Sequence, residues 1–163
     1  MSKLMSKSTK KTMIITGFNR EIYHVLPSIT NKKEEDLLIL NSFGAVISQP
    51  YGCLIRNIIL ALLSENVEEI YLVGEVERKE TRLNQEEVLL RLKESGATEA
   101  TINAINYTDV VEHDVVNWLV GPEAIRDVLR RNKELITGNP LIPKNIPVYA
   151  YIADSETGEY YPV

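Results

Sequence analysis

The sequence predicts an α/β fold: a three-layer arrangement with a mainly parallel central sheet of four parallel strands, closed by an antiparallel C-terminal hairpin strand. Three observations lead there. Three short apolar runs, each ended by turn residues, have the unbroken apolar character of strands buried on both faces. Helical patterns separate these runs, which is the alternation of a parallel α/β sheet. The chain then finishes with two tyrosine-bearing segments around a glycine-containing loop, the signature of a hairpin.

The first strand is Met13-Ile14-Ile15-Thr16, stopped by Gly17. A helix is expected after Asn19. The run Lys32-Lys33-Glu34-Glu35-Asp36 reads as a solvated turn leading into the second strand, Leu37-Leu38-Ile39-Leu40, which Asn41 ends. A helix from about Pro50 to Glu65 follows, with Pro50 in its first turn and a wide apolar face of Leu54, Ile55, Ile58, Ile59, Leu62 and Leu63. Asn66 suits a left-handed stop. The third strand is Ile70-Tyr71-Leu72-Val73 before Gly74. The next helix opens at Asn84, with Glu87 three residues on as a capping-box partner, and stops at Gly96. A helical region over about Thr108 to Leu119 breaks at Gly121-Pro122. A last helix carries Ile125, Val128, Leu129 and Ile136 and ends at Gly138. Val148 to Ile152, the loop Asp154 to Gly158, and Glu159-Tyr160-Tyr161 form the hairpin.

Composition narrows the function. In 163 residues, 44% are hydrophobic and 25% charged, the balance of a globular protein, with no internal repeat or low-complexity linker. Residues 1–11, lysine-rich and without acid, read as a flexible tail rather than a secretory signal, and residues 12–163 as one domain. A formal charge of -5 gives no general attraction to phosphate backbones or anionic lipid, so neither nucleic acid nor membrane is an expected partner. The longest uncharged apolar run, Ile58 to Leu63, is far short of the roughly 18 residues that span a bilayer. The single cysteine, Cys53, excludes an internal disulfide and points to the reducing cytoplasm. With two histidines, His24 and His113, the chain has only three Cys or His residues. A four-ligand Cys/His zinc site cannot be assembled from it alone.

In open α/β sheets, ligands sit beyond the carboxyl ends of the parallel strands. Those ends are followed here by Thr16-Gly17-Phe18-Asn19-Arg20, Asn41-Ser42-Phe43-Gly44 and Gly74-Glu75-Val76-Glu77-Arg78. If the strands are neighbours, these loops meet at one crevice. Further along are Arg56-Asn57-Ile58 with Ala61 following, Asn139-Pro140-Leu141-Ile142-Pro143 and Asp154-Ser155-Glu156-Thr157-Gly158. In this order, from about Met13 to the C-terminus, the sequence resembles the β-class carbonic anhydrases. That family has an Arg-Ser-Leu helix start before its third strand, a Pro-Leu-Ile-Pro turn and a Tyr-Asp-x-x-Thr-Gly hairpin.

The resemblance implies a fold, a homodimer or higher homo-oligomer with sites near the subunit boundary, and a zinc-hydroxide mechanism for carbon dioxide hydration. It also locates where this chain departs. The family carries Cys-x-Asp-x-Arg after its first strand, Arg-Asn-Ala-Gly after its second and Gly-His-x-x-Cys after its third. Here Thr16 stands for the first cysteine, Phe18 for the aspartate, Glu75 for the histidine and Arg78 for the second cysteine. Arg20 alone persists from the first motif, and Gly44 alone from the second loop. Threonine is neutral and a guanidinium has no lone pair to donate, so these residues are no substitute for two thiolates. The expectation is therefore a carbonic anhydrase-like protein without catalytic zinc, with no cofactor. It would act as a binding, regulatory or structural homologue. The alternative is an active carbonic anhydrase with relocated ligands such as His24, Cys53 or Glu75.

Thr16, Phe18, Arg20, Gly44, Glu75, Glu77 and Arg78 make up the expected vestigial pocket. Arg20 is expected to pair with Glu75 or Glu77, its planar fork matching a carboxylate. Arg20 and Arg78 could instead hold a small anion such as bicarbonate or phosphate. Glu75 and Glu77 beside arginines would make a poor hard-cation site. His24 reads as a surface or half-buried residue, His113 as structural at a helix boundary, and Cys53 as a small core residue. Tyr149, Tyr151, Tyr160 and Tyr161 read as a sheet edge covered by a second subunit, since base stacking would need a basic groove beside them.

Overall fold

A computed structural model describes residues 9–78 and 83–163. Most of the lysine-rich segment expected as a tail lies outside the described residues. Its end does not behave as a tail: Lys11 opens the first strand, its amide donating to the Asn66 carbonyl at 3.0 Å.

The chain forms two compact units. The first runs to Val76 and resumes over Ile125–Val163; the second is Glu77–Ala124. The first contains the sheet: β1 (Lys11–Thr16), β2 (Leu37–Asn41), β3 (Val67–Glu75), β4 (Val148–Ala153) and β5 (Tyr160–Pro162), in the order β2-β1-β3-β4-β5. The first four are parallel and β5 is antiparallel to β4. The three predicted strands are direct neighbours, with Ile14 beside Ile39 on one side and Tyr71 on the other.

Alternation along β1 explains the unbroken apolar runs. Met13 and Ile15 join one buried cluster with Ile55, Ile58, Leu129 and Ile136, carried by α2 (Cys53–Ser64) and α6 (Ile125–Thr137). Ile14 faces the other side and packs with Ile22, Val25, Leu26 and Ile29. Those residues come from a 3-10 segment (Arg20–Val25), capped by Asn19, and from α1 (Leu26–Thr30). Both sheet faces are covered, so neither can be polar. Burying one such aliphatic side chain is worth about 1.5–3 kcal/mol relative to exposure.

The strand boundaries shift for a physical reason. β3 is central and continues through Gly74 and Glu75, pairing to Ala153, so Glu75 is a strand residue and not the loop residue expected. At Gly74 a Cβ would lie 2.5 Å from Ile125 Cγ1, so close packing of α6 on the sheet accounts for the glycine. β2 is an edge strand, and its Leu37, Leu38, Ile39 and Leu40 are only half-buried, where full burial was expected.

Helix α2 begins at Cys53 with Gly52 as its cap, and Pro50-Tyr51 forms a turn before it, later than the expected start at Pro50. Asn66 adopts the left-handed conformation the sequence suggests, φ 57°.

The second unit has α3 (Gln85–Glu94), α4 (Glu99–Ile105) and α5 (Val115–Val120) around Ile102, Val111 and Val115. Asn84 caps α3 as expected, accepting from the Glu87 amide at 2.8 Å. The single helical region expected over Thr108–Leu119 is broken: Asp109–Val111 form a 3-10 turn, and Glu112 and His113 are both left-handed before α5 begins. His113 sits at that boundary, its Nε2 2.7 Å from Asp109 Oδ1. Helix α4 had no counterpart in the sequence reading. No helix among the described residues is long and apolar enough to cross a membrane.

The tail is the expected hairpin. The Gly158 amide donates to Asp154 O at 2.8 Å, and Gly158 takes φ 76°. Its tyrosines stack with the sheet: Tyr71 lies 4.9 Å from Tyr149 and 5.8 Å from Tyr151, and Tyr151 lies 6.1 Å from Tyr160, centroid to centroid. Burial, helped by the Glu69 carboxylate, pushes the Tyr71 phenol up to about 12. Because the folded value exceeds the unfolded value of about 10, the Tyr71 contribution is intact below pH 10 and is lost as pH rises from 10 through 12. Ultraviolet titration of tyrosinate should show a late-ionising component that Tyr71→Phe removes. Denaturant unfolding of the wild type should weaken between pH 10 and 12 more than that of Tyr71→Phe.

Candidate functional site

Parallel strands put their carboxyl ends on one edge of the sheet, so the loops after β1, β2 and β3 open on the same side, as anticipated. What holds them there is a set of side-chain hydrogen bonds that continue the ladder where backbone pairing stops.

β1 and β3 pair to Ile15 and Leu72. One residue further, the Thr16 hydroxyl donates to the Val73 carbonyl at 2.9 Å, and Thr16 is buried. The Ser42 amide donates to the Thr16 carbonyl at 2.9 Å, and Asn41 Nδ2 donates to the Gly17 carbonyl at 2.8 Å. The second loop therefore lies directly against the first. Gly44 and Ala45 are both left-handed there, with φ 63° and 61°. Alanine disfavours that region, at a cost of order 1–3 kcal/mol. Asn132 of α6, itself buried, offsets it: its Nδ2 donates to the Ala45 carbonyl at 2.7 Å and its Oδ1 accepts from the Ile47 amide at 3.0 Å.

Glu75 lies at the end of β3, half-buried. Its Oε1 accepts from Asn19 Nδ2 at 2.8 Å and from the Ser155 hydroxyl at 2.6 Å. Asn19 Nδ2 also approaches Ser155 Oγ at 3.3 Å, while Asn19 Oδ1 accepts the Glu21 amide. Ser155 is buried, in the turn between β4 and β5. The Glu75 partners are thus two neutral donors, which corrects the Glu75 arm of the expected pairing of Arg20 with Glu75 or Glu77. A half-buried carboxylate gains short, charge-assisted bonds from them, and neither donor carries the solvation cost of a guanidinium.

The first unit holds five of the seven expected site residues. Thr16 is buried; Phe18 and Arg20 are exposed on the first loop; Gly44 is on the second; Glu75 is as described. Phe18 and Phe43 meet edge to face at 5.6 Å and remain 64% and 55% exposed, so the two loops share an apolar rim. Glu77, exposed, and Arg78, half-buried, fall at the start of the second unit. His24 is exposed. Cys53 is exposed at the first turn of α2, contrary to the expected core position, because that helix face turns outward. Among the described residues, no three of His, Cys, Asp or Glu are grouped to hold a metal ion, so His24, Cys53 and Glu75 do not converge.

The sequence reading missed Asn19, Ser155 and Asn132 as site residues. In the sequence Asn19 marks a helix start and Ser155 belongs to a hairpin loop. Buried Asn132 left a signal, as the polar residue on the otherwise apolar face of Val128, Leu129 and Ile136.

No family model matches the sequence. The chain is 28% identical over 151 residues to the Bacillus subtilis (strain 168) protein named "Putative carbonic anhydrase YvdA", covering 93% of this chain and 75% of that one. It is 28% identical over 150 residues to "Putative carbonic anhydrase-like protein YbcF" of the same organism, covering 92% and 85%. The crystal structure of β-carbonic anhydrase isoform I from Trichomonas vaginalis superposes with a TM-score of 0.76 at 17% identity, over 98% of this chain and 89% of that one. The chain is carbonic anhydrase-like in sequence and has the fold of the β-carbonic anhydrases.

Proposed function

We propose that this carbonic anhydrase-like chain lacks the zinc-hydroxide centre and works as a non-catalytic binding, regulatory or structural homologue, with a small-anion site at Arg20. The observation that carries the reading is the commitment of Thr16, at the family's first ligand position. Its hydroxyl proton is given to Val73 O in a buried setting, and it offers no thiolate. Glu75, at the histidine position, has Oε1 occupied by Asn19 and Ser155. One carboxylate and a neutral hydroxyl do not fit the soft-donor set that holds catalytic zinc and brings its water to a pKa near 7.

Metal analysis of protein purified without chelators should find well under one zinc per chain. The same protein should not accelerate carbon dioxide hydration above buffer. One equivalent of zinc, with hydration abolished by Glu75→Ala, would establish the relocated-ligand enzyme instead.

Arg20 supports the anion site. Its guanidinium is exposed on the loop that Asn19 anchors, and among the described residues no carboxylate is paired with it. Bicarbonate or phosphate would meet a planar fork able to bind two oxygens. Calorimetric titration with each anion at low salt should show saturable binding that Arg20→Ala weakens by about tenfold, the scale of one lost charge-assisted contact. Equal binding by both forms would remove Arg20 from the site.

The assembly we propose is a homo-oligomer. The half-buried leucines and isoleucine of edge strand β2, and the exposed Phe18–Phe43 pair, are surfaces that a second copy would shield. Sedimentation velocity at micromolar concentration should give at least a dimer, and a monomer at all concentrations would refute this. We place the protein in the cytoplasm, where the exposed Cys53 thiol would stay reduced.

A further inference from the structure

We infer that Asn19, Glu75 and Ser155 form a metal-independent latch that fixes the ends of three strands and so sets the position of the rim residues Phe18 and Arg20. The inference deepens the reading above, since it rests on Glu75 serving as a hydrogen-bond acceptor and not as a metal ligand.

The three residues come from separate segments of one compact unit. Glu75 is the last residue of β3, Asn19 lies three positions beyond β1, and Ser155 two positions beyond β4. Backbone pairing between β1 and β3 ends at Ile15 and Leu72, and past that rung the Thr16 hydroxyl and the Asn19 side-chain amide tie β1 and its loop to β3. The contacts close into a ring. The Ser155 hydroxyl donates to Glu75 Oε1, Asn19 Nδ2 donates to the same oxygen, and its second proton is directed at Ser155 Oγ. Each proton in the ring has an acceptor, as burial requires.

Each corner is also held from outside. Asn19 Oδ1 caps the 3-10 segment through the Glu21 amide at 3.1 Å. Ser155 follows Asp154, whose Oδ1 accepts the Glu156 and Thr157 amides at 2.9 and 3.3 Å and fixes the turn. Glu75 is held in the β3–β4 ladder opposite Ala153. A carboxylate at the centre can thus do with two neutral donors what a coordinated cation does elsewhere: tie the loop after β1 to the ends of β3 and β4. Phe18 and Arg20 immediately flank Asn19 in sequence, so their placement follows from its anchoring.

The test is a thermal-unfolding cycle on the full chain with Glu75→Ala, Ser155→Ala and the double variant, each with EDTA and with a twofold excess of zinc. Each single variant should lower Tm by roughly 3–10 °C, the range for losing a hydrogen bond to a charged group in a chain of this size. The double variant should fall within about 2 °C of the more damaging single, because the two share one interaction. Amide exchange at residues 17–22 should quicken by about tenfold in both singles.

Should Glu75→Ala fail to fold, Glu75→Gln keeps an uncharged acceptor, and its cycle with Ser155→Ala is read in the same way. Additive losses, or unchanged exchange at residues 17–22, would overturn the latch. So would a zinc-dependent rise in the wild-type Tm that Glu75→Ala abolishes. A zinc-dependent rise equal in wild type and Glu75→Ala would place a metal elsewhere and overturn the proposed function, while non-additivity would still uphold the latch.

Discussion

A parallel sheet stops being self-supporting at its carboxyl edge. Between strands, backbone groups satisfy one another; beyond the last rung, each loop leaves in its own direction and its polar groups need other partners. This constraint governs the functional end of the protein. Thr16 extends the β1–β3 pairing by one bond to Val73, Asn41 and Ser42 tie the β2 loop to β1, and Glu75 gathers Asn19 and Ser155. The site is largely the set of side chains that complete the sheet.

The second loop reaches the same end by a different route. Two consecutive left-handed residues turn the chain sharply after β2, and only one of them is glycine. The unfavourable conformation of Ala45 persists because Asn132 reaches from α6 and satisfies the backbone that leaves the turn, at the Ala45 carbonyl and the Ile47 amide. An apolar residue in its place would leave the Ala45 carbonyl and the Ile47 amide unpaired in the interior, a loss of about 1–3 kcal/mol for each group. The helix that packs the sheet therefore also shapes the loop that borders the site.

The architecture was legible because it is written in local patterns. Unbroken apolar runs of four residues, Gly74 at a point of close helix approach, Asn66 as a left-handed stop and Asn84 as a cap all act within a few residues of themselves. Boundaries that depend on tertiary position were less legible. β3 outruns its apolar segment because it has partners on both sides, and β2 is half-exposed because it has one. The break at Glu112-His113 was not legible because glutamate is not a customary left-handed former. At the site, the positions were legible and the pairings were not. Glu75 was found by its place after the third strand, but Ser155 lies 80 residues from it, and one sequence contains no trace of such a contact. An arginine looked the natural partner for Glu75 because charge is visible in a sequence. Burial, which favours the neutral hydroxyl and amide, is not.

The two apolar clusters on either side of the sheet draw on residues of β1, β3, β4 and the helices, none of which is a polar group of the cleft. Folding energy and cleft chemistry are thus stored in different side chains. Thr16 requires only that one hydroxyl be satisfied, and the Val73 carbonyl beyond the last rung does so. Glu75 makes a harder demand, because an unpaired carboxylate in a half-buried place would destabilise the strand end. Neutral donors on two separate loops meet that demand and, among the described residues, leave the Arg20 guanidinium unclaimed by an acid. Had Arg20 been drawn in to neutralise Glu75, its guanidinium would not be open to an anion. The proposed binding role therefore depends on Asn19 and Ser155 taking the place at Glu75 that an arginine would otherwise fill.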